Sequence, residues 1–107
     1  MNYYWIFLIM AGLSEIGWTM SLKFSEEFSK PVPTGIAIFF LVLSVVLLTL
    51  ALKRIPLGIA YATWVSIGII GVAIAGMLFF GESRSLIKII FISLIVIGAV
   101  GLKLITD

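Results

Sequence analysis

The sequence predicts an all-α membrane protein with four transmembrane helices, on three observations. Of its 107 residues, 63% are hydrophobic and 11% charged, and its mean hydropathy is +1.31. Seven basic and five acidic side chains are too few to cover the surface of a soluble domain of this size. Apolar runs of roughly 20 residues, the length that crosses a bilayer as a helix, recur along the whole chain with short polar breaks between them.

The first run covers about 3–22 and opens with Tyr3, Tyr4 and Trp5, expected to form an interfacial aromatic belt. It lacks a basic leader and is longer than a signal h-region, so it is expected to stay in the mature protein. "KFSEEFSKPVP" ends it, with the Pro and Ser content of a turn. The second run, about 33–52, ends at "KRIP"; the third, about 57–80, ends at "GESRS"; the fourth, about 86–105, carries "IGAVG". Connections this short force neighbouring helices to run antiparallel. The four spans together are read as one transmembrane domain, 1–107.

Antiparallel neighbours put Lys53, Arg54 and Lys103 on one side of the membrane and Lys23, Lys30, Arg84 and Lys88 on the other. Basic residues set orientation, and here the two sides nearly balance. Copies are therefore expected to insert in both orientations. The small positive surplus forms no patch or stripe, so no nucleic-acid partner is expected. With neither cysteine nor histidine, disulfides, thiol chemistry and the common zinc sites are excluded; no cofactor and no metal are expected.

Of the five acids, Glu26, Glu27 and Glu82 fall in connections and Asp107 ends the chain. Only Glu15, within "AGLSEIGWTM", lies inside a span. An ionisable group at that depth is costly and marks a functional site by default; the plainer alternative is a protonated Glu that glues helices together. Burial penalises the charged carboxylate, and a second copy's Glu15 nearby adds like-charge repulsion. The group is then a usable proton carrier, and a cation relieves the same penalty. Proton and cation compete for one site, which is the logic of an antiporter.

Helical spacing places Leu8, Ala11, Gly12, Trp18, Thr19 and Leu22 on the face of Glu15. Gly12 leaves space beside the acid or allows close packing, and Trp18 walls that space or faces lipid. The second span offers Ser44 and Thr49, hydroxyls that taken alone more often bond back to their own helix. In the third, "PLGIAYATW" puts Tyr61 and Trp64 on a common face, where aromatic rings attract cations or simply anchor and pack. Gly68, Gly71 and Gly76 allow close approach or a bend. Gly98 and Gly101 suit a helix contact in the fourth span. So small a chain has little room for a polar cavity, so at least a dimer is expected.

Together these residues resemble the small multidrug resistance transporters over essentially the whole chain. The likeness is carried by the lone Glu15 followed by "KFS" at 23–25, by "P-x-G-x-A-Y-A-x-W" entering the third span, and by "FFGE" after it. It implies a dual-topology antiparallel dimer in a bacterial inner membrane, with proton-coupled export by alternating access at the two Glu15 side chains. Trp three positions after the Glu, Ser44 and the C-terminal "GLK" are similar to the guanidinium-exporter branch. That likeness implies that Gly12, Trp18, Ser44, Tyr61 and Trp64 line the site, and guanidinium, planar and rich in donors, suits carboxylates. One departure stands out: the family usually has Gly-x-Gly after the Trp of the third span, at the kink, whereas this chain reads "WVSIG", with Ser66 first and Gly68 second. A subunit that need not kink fits a heterodimer with a homologous partner, so homodimer and heterodimer both stay open. The alternatives to guanidinium export are a promiscuous exporter of quaternary ammonium and other hydrophobic cations, and a structural membrane subunit. An enzyme is not expected, because no second buried ionisable group accompanies Glu15.

Overall fold

The computed structural model describes residues 2–106; Asp107, the fifth acid, lies outside the described residues. Four helices follow in order: α1 (Asn2–Phe24), α2 (Pro31–Ala51), α3 (Leu57–Phe79) and α4 (Leu86–Thr106). At 1.5 Å per residue each is about 32–35 Å long, which matches the ~30 Å hydrocarbon layer. All four are long and apolar enough to cross a membrane. α2 starts at Pro31, two residues before the sequence expectation, because a proline in the first turn gives up no helical hydrogen bond.

The helices lie side by side in the order α2, α1, α3, α4. The resulting slab measures 42 × 35 × 17 Å, too thin for two full layers. α1 and α3 are parallel, so Phe24 and Phe80 meet at one end, 5.5 Å between ring centroids. At the other end the Lys103 ammonium of α4 lies over the Trp5 ring of α1, 5.0 Å from its centroid.

Tight packing is concentrated at that second end. Trp5, Leu8, Ala51, Ile55 and Ala60 form the core, with Leu48, Leu52 and Trp64 packed around them. Two alanines let the α2–α3 turn close over α1. Trp5 is only 7% exposed, so of the expected aromatic belt it belongs to this core, while Tyr3 stays 56% exposed. Along the rest of α1, side chains seat against glycines of the facing helix. Ile67 of α3 fills the space at Gly12, where a Cβ would lie 2.6 Å from the Ile67 Cβ; Ile16 of α1 fills that at Gly71. Side-chain insertion against a bare backbone is the contact lipid cannot replace, and it is what holds apolar helices together in a membrane.

The α1–α2 connection makes a left-handed turn. Glu26, Glu27 and Phe28 have φ of 48°, 63° and 68°, a region that side chains with a Cβ occupy at a cost. Ser25, fully buried, holds it: its hydroxyl donates to the Leu22 carbonyl at 2.7 Å and accepts from the Phe28 amide at 3.2 Å. No residue of the Leu86–Ile105 span is buried among the described residues: α4 packs along one side on α3 and leaves the rest of its surface exposed.

Candidate functional site

Glu15 lies past the middle of α1 and lines a groove between α1 and α3. Helical spacing supplies its first partner. Trp18 is one turn on, and its indole N–H donates to Glu15 Oε1 at 2.7 Å. A donor that short to a carboxylate is among the stronger neutral-to-charged contacts, and it fixes the plane of the acid. α3 supplies the second contact: Gly68 is buried against the side chain, and a Cβ there would lie 3.2 Å from both Cβ and Oε2 of Glu15. Anything larger than glycine would crowd the acid.

The groove holds about 390 Å³ and is walled mainly by Val65, Ile69, Val72 and Ala73, with Thr19 and a second acid, Glu82, further along it. Its lining is an apolar slot in which the charged side chains are the two carboxylates, the outer one paired with Lys88 at 3.2 Å. Such a slot favours a cation that can pair with an acid and leave its apolar side against the wall.

A second group of the expected residues meets elsewhere. The Trp64 indole N–H donates to Ser44 Oγ at 2.8 Å, and Ser44 Oγ donates to the Ala11 carbonyl at 2.8 Å. Ser44 is fully buried. This bridge joins α3, α2 and α1, and it ends on a particular carbonyl: that of residue 11 also accepts the helical N–H of Glu15, four residues on. Ser44 and Trp64 therefore act on the turn that presents the acid, with no direct bond to its carboxylate. Tyr61 stacks at a tilt on Trp64, 5.5 Å between centroids, and is 55% exposed.

The family model for the Small Multidrug Resistance protein matches residues 3–95. The chain belongs to the small multidrug resistance family. Among its relatives, the guanidinium exporters of Salmonella typhimurium and Yersinia pestis are each 46% identical over 100 residues, 94% of this chain and 95% or 96% of theirs. That of Escherichia coli is 42% identical over 102 residues, 95% of this chain and 97% of its own.

In this small multidrug resistance protein the remaining expected residues are placed as follows. Gly12 faces Ile67, so the space it leaves is used for helix packing. Ser66 donates to the Ala62 carbonyl at 2.6 Å, and α3 runs as one helix through Ser66 and Gly68. Gly98 and Gly101 have open space where a Cβ would stand. Sequence reasoning did not bring Glu82 to the groove. It was singled out only as the last residue of "FFGE", and the glycine of that motif explains its position: Gly81 has φ +68° and turns the chain back toward α3.

Proposed function

We propose that this chain is a proton-coupled exporter of guanidinium and small substituted guanidinium cations, working as an antiparallel dimer in a bacterial inner membrane. The observation that carries the reading is Glu15 itself: the one carboxylate inside a span, oriented by Trp18 and set in an apolar groove. Relatives named guanidinium exporters, 42% to 46% identical across nearly the whole chain, support the choice of cation.

The mechanism follows from one acid with two alternative occupants. A proton neutralises the carboxylate, and so does a guanidinium, whose planar N–H groups donate in the plane of the acid oxygens. With Trp18 holding Oε1, the free lone pairs point to where such a donor sits. A quaternary ammonium has no N–H and gains nothing from that orientation. In the dimer the two Glu15 side chains share the substrate, and occupancy by proton or cation decides which is carried as the site turns from one side of the membrane to the other. A partner can be a second copy or a homologous subunit.

The test is protein reconstituted alone in liposomes, with an imposed guanidinium gradient and internal pH as the readout. Proton flux against guanidinium is expected, and Glu15→Gln is expected to abolish it. Glutamine preserves shape and still accepts from Trp18 but holds neither charge nor proton. Coupled flux that survives this change refutes the mechanism. Strong resistance of expressing cells to bulky quaternary ammonium biocides would favour the multidrug reading instead.

A further inference from the structure

The groove that contains Glu15 has a second carboxylate along it, that of Glu82 on the α3–α4 connection. Its position is built. After the turn at Gly81, the Glu82 amide donates to the Gly76 carbonyl at 3.1 Å, and the Arg84 guanidinium donates to the Met77 carbonyl at 3.1 and 3.3 Å. The last turn of α3 thus holds the connection down: the Gly76 carbonyl accepts from both the Phe80 and Glu82 amides, and the Met77 carbonyl, without a helical partner among the described residues, takes the Arg84 guanidinium. The carboxylate then lies over Gly76, where a Cβ would be 2.5 Å from Oε1. A side chain at 76 would displace it.

Gly68 seats Glu15 and Gly76 seats Glu82, just over two turns apart on α3, so the acids are separated along the groove by about 12 Å. Thr19, Val72 and Ala73 lie on the wall with them. Two ammonium groups border the outer acid. Lys88 Nζ is 3.2 Å from Glu82 Oε1, with side chains 30% and 55% exposed. Lys23 lines the adjoining recess, its ammonium 5.9 Å from the Phe80 ring. An exposed Lys–Glu pair is weak and exchanges its partner readily. A guanidinium offers a planar fork where the lysine offers a point charge, so it can replace Lys88 on the same oxygens.

We infer that Glu82 is the entry station of the cation path: a guanidinium from this end pairs with it first, displacing the tethered Lys88 ammonium, and then moves along the groove to Glu15. The inference rests on the export reading and adds a residue to it. An acid at the mouth raises the local cation concentration and the capture rate, and salt screens this over about 8 Å at physiological strength.

The experiment compares wild type, Glu82→Gln and Lys88→Gln in guanidinium-driven proton flux at low and high ionic strength. At low salt Glu82→Gln is expected to lower kcat/KM about threefold or more with the maximal rate kept, and Lys88→Gln to raise it about twofold; both differences should close at high salt. Wild type without exchange both alone and together with a homologous subunit overturns the export reading and this inference with it. With an active wild type, the inference alone is overturned if both variants match it at low salt. It is also overturned if Glu82→Gln lowers the maximal rate equally at every salt concentration, as a merely structural residue would. Should Glu82→Gln not fold, Lys88→Gln decides: a salt-sensitive rise supports the entry station and no change overturns it.

Discussion

Removing the Ser44 hydroxyl takes the middle out of a bridge that joins three helices. In Ser44→Ala the Trp64 N–H loses its acceptor at 2.8 Å, and the Ala11 carbonyl loses the second of its two donors. The carbonyl keeps the helical N–H of Glu15, so only the indole is stranded. A stranded donor costs about 1–3 kcal/mol in soluble proteins, while polar pairs between membrane helices average about 0.6 kcal/mol. For two bonds and one orphan we expect a loss of about 1–2 kcal/mol.

Trp64→Phe keeps the ring against the core but removes the N–H, while Ser44 still donates to Ala11. About 0.5–1 kcal/mol is expected for that single bond. The double variant removes the indole–hydroxyl bond only once, so its loss should fall short of the sum by about 0.5–1 kcal/mol. The measurement is unfolding in mixed micelles of increasing SDS content, followed by circular dichroism, on both single variants and the double. Losses that add to within about 0.3 kcal/mol would refute the shared bond, and with it the claim that α3 reaches the Glu15 turn through Ser44.

Trp18→Phe removes the donor at Glu15 Oε1; a hydrogen bond to a charged group is worth about 1.5–3 kcal/mol, so KM for guanidinium should rise about tenfold or more, and an unchanged KM would show that the indole does not orient the acid. Gly12→Ala places a methyl where Ile67 already sits, an overpacking that should destabilise by about 1–3 kcal/mol; Ile67→Ala on top of it should restore part of the loss, and no recovery would disprove the contact. Glu27→Gly relieves a left-handed φ of 63° and should raise the unfolding midpoint, by about 0.5–1 kcal/mol once the greater freedom of glycine in the unfolded chain is subtracted; a lower midpoint would mean that the turn favours the side chain.

What the sequence made legible was what depends on one helix at a time. Span length and apolar content located four helices, and a lone charge among apolar residues located Glu15. Trp18 followed from spacing, because one turn along a helix always brings two side chains together. Contacts between helices were harder to read. In lipid every face of a helix is apolar, so hydrophobic pattern does not say which face meets which neighbour. Thr49, Ser66 and Ser93 bond back to their own helices, at 2.8, 2.6 and 2.8 Å, whereas Ser44 crosses to α1. Nothing local to Ser44 distinguishes it from them. Only the adjacency of α2 and α1 does. Glu82 was hidden for a different reason. By composition it belongs to a polar connection, and it reaches the groove only because Gly81 reverses the chain and Gly76 leaves room for the carboxylate.

The uneven packing of the chain bears on how one acid can serve both sides of a membrane. The core lies at the end with the α2–α3 turn, and the groove extends from Glu15 toward the opposite end, where Glu82 stands. In a single chain, therefore, Glu15 has a closed side and an open side. A parallel pair would open both grooves to the same side. In the proposed antiparallel pair the closed end of each chain lies beside the open end of the other, and the two acids, near mid-membrane, can meet. Where the pair is two copies of this chain, the near balance of basic residues at the two ends is what insertion requires, since both orientations must be populated. Transport then needs no new fold at each step: if the two chains exchange their open and closed forms, the same site faces the other side. The residues that fix the difference between the ends, among them the Ser44 bridge and the glycine seats on α3, are on this reading the ones through which a proton or a guanidinium at Glu15 biases the exchange.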